Sequence, residues 1–401
     1  MASSINASTS GAGGVITTAD NSGILNLQSN GTTVATVSST GFSTPANQTI
    51  NTANTFGFKN RIINGGMTID QRNAGASVSI SSSVQYRLDR WNTYCPTGSG
   101  NTVQQVVDAP SGFYYSQKVT IGTGASPSSG DQNQIFQQIE GYNVADFNLG
   151  SSSALTFTCS FWVKSSLTGT FNISFQNSLS NRSYVTTYTI NSANTWEQKT
   201  VTLTGDITGT WNKTNSTGLT VNFSLGCGSS FNTTANTWTG SDVKSTSGAT
   251  NVVATSGATF YITGVQLEVG SQATSFDFRD YGRELILCQR YFEKSYDYSV
   301  AVGTGSNLGR FEVTASSNAG GDQVLNIKYA VAKRTAPTMT AYTAGAGTSG
   351  QWRRASSVSG ASDATLNWEF QSTNGCGAYI AQGGGLVVCS CEGQWTASAE
   401  L

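Results

Sequence analysis

The sequence predicts a mainly β protein. It should carry an N-terminal oligomerisation or anchor segment, a central antiparallel jelly-roll sandwich, one helix and a C-terminal β-sandwich tip. Three observations predict this. Roughly a quarter of the residues are Ser or Thr, and Gly is 45 against a Pro count of 5, a composition that suits strands and turns rather than helical bundles. Charged residues are 11%, less than half the usual share. Short strand-like runs recur about every ten to fifteen residues across most of the chain. At roughly 100–200 residues per domain, 401 residues make two or three domains.

Residues 1–58 are nearly uncharged and rich in Gly, Ser, Thr, Asn and Ala, which by composition alone reads as disorder. Leu25-Asn26-Leu27, Asn30-Gly31 and the run 34–37 argue otherwise, because an Asn-Gly pair between two strands specifies a tight hairpin. So thin a segment has too few apolar side chains for a core of its own. It needs further copies or a larger particle to pack against; the other reading is a flexible tail. Between 59 and 280, strands are expected at 86–91, 102–107, 113–121, 134–140, 155–164, 196–203, 219–225 and 259–267. The run 155–164 alternates most cleanly, with Leu155, Phe157, Cys159, Phe161 and Val163 facing inward and Trp162 and Lys164 outward. Short strands separated by Gly, Asn, Ser and Thr turns form sandwiches or jelly rolls.

One helix is expected over 281–294. Asp277 and Asp280 precede it and favour a helix N-terminus. Leu285, Cys288 and Phe292 form its apolar stripe, widened by Ile286, Leu287 and Tyr291; that stripe packs on the sandwich or between subunits. Strands return at 311–313, 325–327, 337–342 and 385–389, with a turn-rich loop at 345–350. The organisation is therefore 1–58, an anchor or trimerisation segment; 59–280, the jelly roll; 281–300, the connecting helix; and 301–401, the tip.

Composition also excludes functions. The net charge is -1, so no basic excess exists to hold nucleic acid. With no His, every Ser-His-Asp or Cys-His arrangement and every His-based metal site is ruled out. No run is long and apolar enough to span a bilayer, and residues 1–10 lack the features of a secretory signal. The seven Cys contain no CxxC pair and are expected as reduced thiols; Cys389 and Cys391, two apart on one strand face, are poorly placed for a bridge. No phosphate-cradling glycine loop, metal site, cofactor or catalytic residue is expected. Two carboxylates suffice for a glycosidase, so a hydrolase stays as a minor alternative.

The aromatic residues are the better lead. Trp211 and Trp238 stand in polar, loop-like stretches, and Trp352 precedes Arg353 and Arg354. A flat ring beside Asn, Thr and Arg suits a sugar face, through stacking and hydrogen bonds. Trp211, Trp238, Trp352 and Arg353 are thus the glycan-binding candidates; the alternative is that each Trp closes the edge of its own sandwich. Trp91, Trp162 and Trp196 lie within strands, where a structural role is favoured.

A longer pattern is carried by Asn60-Arg61-Ile62-Ile63-Asn64-Gly65-Gly66-Met67, Asp70-Gln71-Arg72-Asn73, Asp89-Arg90-Trp91 and Gln137-Gln138-Ile139-Glu140-Gly141-Tyr142. It continues through Phe161-Trp162-Val163-Lys164, Asn194-Thr195-Trp196-Glu197, the run 260–268, Tyr281-Gly282-Arg283-Glu284-Leu285 and Cys288-Gln289-Arg290-Tyr291. In that order it resembles tail-fibre or fibre-like virion proteins of tailed bacteriophages, of marine or cyanobacterial type, over about residues 59–294. The end, Trp395 to Leu401, is similar to the closing strand of phage fibre tips. The central region also resembles carbohydrate-binding-module jelly rolls. Where those modules often carry an acidic pair, this chain has Thr263-Gly264, a departure that puts a calcium site there in doubt. The resemblance implies a non-enzymatic homotrimer, assembled in the bacterial cytoplasm and located on the virion. It would attach to other tail or capsid proteins through residues 1–58 and contact host surface polysaccharide, with no nucleic acid and no membrane insertion. A capsid-bound head fibre or decoration, a structural tail connector and, less favoured, a polysaccharide depolymerase are the alternatives.

Overall fold

The computed structural model describes residues 3–7, 15–18, 22–39, 41–44, 59–80, 83–317, 323–356, 360–380 and 387–401. Much of the 1–58 segment, including 45–58, therefore lies outside the described residues. Strands β1 (Ser3–Ala7), β2 (Val15–Thr18), β3 (Leu25–Ser29), β4 (Thr32–Ser38) and β5 (Gly41–Ser43) form one sheet in the order β2-β1-β3-β4-β5. The expected hairpin is there: β3 pairs with β4 in antiparallel register. Asn30 and Gly31 in its turn have φ of 50° and 74°, the paired left-handed conformation that a two-residue hairpin requires. Among the described side chains of this sheet only Ala35 is buried, and Val37 and Phe42 are exposed.

The central region is a two-sheet antiparallel sandwich. Its strands are β6 (Val78–Ser79), β7 (Gln85–Leu88), β8 (Trp91–Tyr94), β9 (Thr102–Val106), β10 (Ser116–Thr120), β11 (Gln132–Glu140), β12 (Phe157–Ser165), β13 (Gly169–Gln176), β14 (Ser183–Ile190), β15 (Glu197–Leu203), β16 (Thr217–Cys227), β17 (Trp238–Thr239) and β18 (Thr259–Val269). Six pair in the order β15-β12-β18-β10-β9-β6 and seven in the order β17-β14-β13-β16-β11-β8-β7. Rings from the two sheets meet in between: Phe161 and Phe223 at 5.0 Å between centroids, Phe157 and Phe175 at 5.6 Å. Such pairs contribute beyond the apolar area they bury.

The alternation read in 155–164 holds for Phe157, Cys159, Phe161 and Val163, which are fully buried, but Leu155 precedes the strand and is 39% exposed. The run 86–91 is two strands, not one. Asp89 and Arg90 make the turn between β7 and β8, with Arg90 at φ 68°. The strands β13 and β14 had no counterpart in the sequence reading. The outward residues of β13, Asn172, Ser174 and Gln176, are polar yet buried, because the 228–251 segment folds over them: Ser245 donates to Asn172 at 2.9 Å and Gln176 donates to Asp242 at 2.7 Å.

The helix α1 spans Tyr281–Gln289, and its N-cap Asp280 accepts from the Arg283 amide at 2.9 Å. It stops short of the expected 294. Phe292–Lys294 is strand β19, paired with the last strand of the tip; tertiary pairing overrides the helical pattern there. No helix among the described residues is long and apolar enough to cross a membrane.

The tip strands are β20 (Phe311–Ser317), β21 (Gln323–Lys328), β22 (Thr338–Tyr342), β23 (Gln351–Ser356), β24 (Gly360–Thr365), β25 (Asn367–Glu369), β26 (Gly375–Ile380) and β27 (Val387–Ser398). The long strand β27 organises them: it pairs with β19 and β22 near its end and with β20 and β23 earlier. A second sheet, β21-β26-β25, covers the other side of a core that includes Ile327, Met339, Ala378 and Trp395.

Sandwich and tip meet in a dense polar junction. Glu400 pairs with Arg72 at 2.7 Å and with fully buried Arg90. Arg334 donates to the carbonyls of Ala399, Glu400 and Asn215 at 2.7–2.8 Å. Glu140 accepts two bonds from Arg290 and one from the Tyr291 hydroxyl. Gln71 donates to Asp89 at 2.6 Å and to the Phe292 carbonyl at 2.9 Å. The Trp91 indole donates to the Asn64 carbonyl at 3.0 Å. Much of the motif pattern in 60–91 and 284–291 therefore builds this junction.

Candidate binding site

The four residues singled out from sequence fall in two places. Trp211 and Trp238 pack edge-on at 5.5 Å, and their indoles donate to the carbonyls of Thr208 and Thr204. Trp211 belongs to the sandwich core and is only 8% exposed; Trp238 is half-buried against that core. Trp352 lies in the tip core at 1% exposure, its ring resting on Gly393 and its indole donating to the Gln394 carbonyl at 2.8 Å. These are corrections for Trp211 and Trp352: a covered ring offers no face to a sugar. Arg353 is on the surface, 4.0 Å from Asp363. On β23 the alternation turns Trp352 inward and Arg353 outward.

The structure presents a different aromatic surface. Three segments converge beside the six-stranded sheet: the stretch 60–68, the stretch 112–114 leading into β10, and 276–281 between β18 and α1. They enclose a cleft of about 220 Å³. Phe113, Phe276 and Phe278 pack on one another at 4.9–5.3 Å between centroids. Tyr114 is 66% exposed, Phe278 64% and Tyr281 54%. Large rings left this open and clustered mark an interaction site more often than single exposed side chains do.

The polar groups of the cleft are held from behind. Asn60 donates to the Val265 carbonyl at 3.1 Å and accepts from the amides of Ile62 and Leu267. The Asp277 amide donates to Gln266 at 2.8 Å. Arg279 lies 3.3 Å from Glu284 and 3.8 Å from Asp277, and donates to the carbonyls of Ile62 and Asn60. Glu284 also accepts from the Asn64 amide. Burial, with the nearby Asp89 charge, raises the Tyr281 phenol, which stays a neutral hydrogen-bond donor. The arrangement offers apolar faces with fixed polar edges and internally paired charges. It can stack on a hydroxyl-bearing ring. Its two carboxylates, Asp277 and Glu284, share one arginine. Sequence reasoning missed the cleft, although Phe113-Tyr114-Tyr115 and Phe276-Asp277-Phe278 are aromatic clusters outside any clean alternation.

Among the described residues no group of acidic or Cys side chains is placed to hold a metal ion. No family model matches the chain, and no curated protein matches it. Among solved structures, the enzymatically active domain of bacteriophage CBA120 tailspike protein 4 is similar at 17% identity and TM-score 0.30, over 52% of this chain and 21% of that one. The family 11 carbohydrate-binding module of Clostridium thermocellum Lic26A-Cel5E is similar at 12% identity and TM-score 0.24, over 50% and 96%. The CBM22-1 xylan-binding domain of Paenibacillus barcinonensis Xyn10C is similar at 10% identity and TM-score 0.22, over 50% and 99%. TM-scores this low establish neither a common function nor a common ligand, so what this chain binds follows from its own side chains.

Proposed function

We propose that the protein is a non-enzymatic fibre of a tailed-bacteriophage virion that attaches to host surface glycans through the aromatic cleft. The observation that carries the glycan reading is the cleft itself: Tyr114, Phe278 and Tyr281, each more than half exposed, surround polar groups already fixed by the backbone. Ring stacking supplies apolar contact while preset polar groups fix orientation. The fibre reading rests on the ordered motif pattern of residues 59–294. It brings with it a homotrimer, docking to other virion proteins through residues 1–58, and affinity gained by multivalency.

The test is a glycan array probed with the full chain. Wild type should bind at least one surface polysaccharide. Tyr114→Ala and Phe278→Ala should each weaken that binding about tenfold, the loss of one stacking contact of about 1.4 kcal/mol, with an unchanged melting temperature. Equal binding by wild type and both variants would remove the cleft from the reading. Immunogold labelling of particles with an antibody to residues 301–401 separates tail fibre from head decoration. Release of reducing ends from the bound glycan would instead indicate a depolymerase.

A further inference from the structure

We infer that the cleft is one end of a longer binding belt, which takes a linear polysaccharide along its length across the outer face of the six-stranded sheet as far as Trp196. The inference rests on the glycan reading above and adds the mode of binding: along the chain, not at a single terminal sugar.

The belt is continuous. Phe113 forms a wall of the cleft. Beside it is Gly264, at φ +61°, where a Cβ would sit 2.6 Å from Phe113 and 3.0 Å from Trp162. The missing side chain lets these two rings close over β18. Trp162 and Lys164 stand two apart on the outer face of β12, opposite Thr263 and Tyr261 of β18. The Lys164 amine lies 4.2 Å from the Tyr261 ring centre and 5.2 Å from that of Trp196. Trp196 meets Tyr261 edge-on at 6.1 Å. The rings thus run Phe113, Trp162, Tyr261, Trp196. Successive same-face residues on a strand are about 7 Å apart, so the row spans several sugar rings. Trp162, Tyr261 and Trp196 are half-buried, neither sealed in the core nor free to swing.

Two lysines stand in the row: Lys118, cross-strand neighbour of Tyr261, lies 5.6 Å from the centre of its ring, and Lys164 faces the same ring from β12. Lys164 pairs with Asp108 at 2.5 Å, and Asp108 also accepts from the Trp196 indole at 3.2 Å. These bonds fix the Trp196 ring plane. What the belt offers a ligand is stacking surface with hydroxyl, amide and amine edges, which suits a chain of hydroxylated rings.

The experiment measures affinity of the full chain for a size ladder, from monosaccharide to hexasaccharide, cut from the polysaccharide returned by the glycan array. Wild-type affinity should climb with each added ring. Trp196→Ala should lose about tenfold on the hexasaccharide and nothing on the disaccharide, and Trp196→Phe, which keeps a ring, should restore most of the loss. Affinity that stops rising at the disaccharide, or a Trp196→Ala loss equal on short and long sugars, overturns the belt while leaving the cleft standing. An array on which the wild type binds nothing overturns the glycan reading itself, and the belt with it.

Discussion

Trp352→Ala removes a ring that rests on Gly393 and fills the tip core. It should cost about 3–5 kcal/mol of stability, read by urea unfolding, while leaving glycan binding at the cleft unchanged. The same separation should hold for Trp211. Local polarity misleads at Trp352 because strand alternation, not the identity of the flanking residues, decides which side chain points inward; Trp211 lies in a polar loop between β15 and β16 that tucks its ring into the sandwich core. A second residue-scale outcome concerns the thiols. Cys95, Cys159, Cys227, Cys288 and Cys376 are free and buried, and Cys391 is buried as well. Burial raises the Cys95 thiol to about 12 and also raises Cys159, Cys227, Cys288 and Cys376. Alkylation of the folded protein should reach none of the thiols of Cys95, Cys159, Cys227, Cys288 and Cys376, and unfolding should expose these five together.

At the scale of elements, the apolar rhythm of β12, β16 and β18 was legible because a two-sided sandwich writes period two into its strands. β13 and β14 were not legible: a covering loop lets Asn, Ser and Gln occupy buried outer positions, so hydroxyl-rich strands read like turns. The end of α1 was hidden for a related reason, since the pairing of β19 with β27 depends on residues a hundred positions away. The junction element that ends in Glu400 can be tested directly. Glu400→Ala leaves Arg90 buried without its counter-charge and should cost about 3–5 kcal/mol, measured by chemical denaturation. The β7–β8 turn carries a pH dependence. Asp89 is fully buried, and burial pushes its carboxyl up to about 7 despite Arg72, the Gln71 bonds and the lysine at 294; Asp70 adds to the rise. The folded chain therefore holds a proton that the unfolded chain releases near 3.8. The stabilisation is complete below that value and is lost as pH rises towards about 7. Melting temperatures between pH 4 and 7 should fall more steeply for wild type than for Asp89→Asn.

At the scale of the whole molecule, the class of fold and the sequence of N-terminal sheet, sandwich, helix and tip sheets were readable from composition and spacing, whereas the binding surface was not. The cleft is assembled from three segments up to about two hundred residues apart, and no local pattern marks their convergence. The N-terminal sheet bears on assembly. Paired residues place Leu25, Val37 and Phe42 on one face, Val37 and Phe42 are exposed, and residues 1–58 contain one charge, Asp20. A neutral apolar face of this kind gains by burial against other copies and meets no charge repulsion. Light scattering should give the full chain a mass three times 42.0 kDa, and removal of residues 1–44 should return it to a single chain. The junction has a mechanical meaning as well. The chain enters the tip at β19 and comes back at residues 399–401, where Arg72, Arg90 and Arg334 hold it against the sandwich. A body tethered at one point swivels; one tethered at two resists torque. A pull or twist applied to the tip is therefore passed to the sandwich as to a single lever, and the helix between them is spared from acting as a hinge.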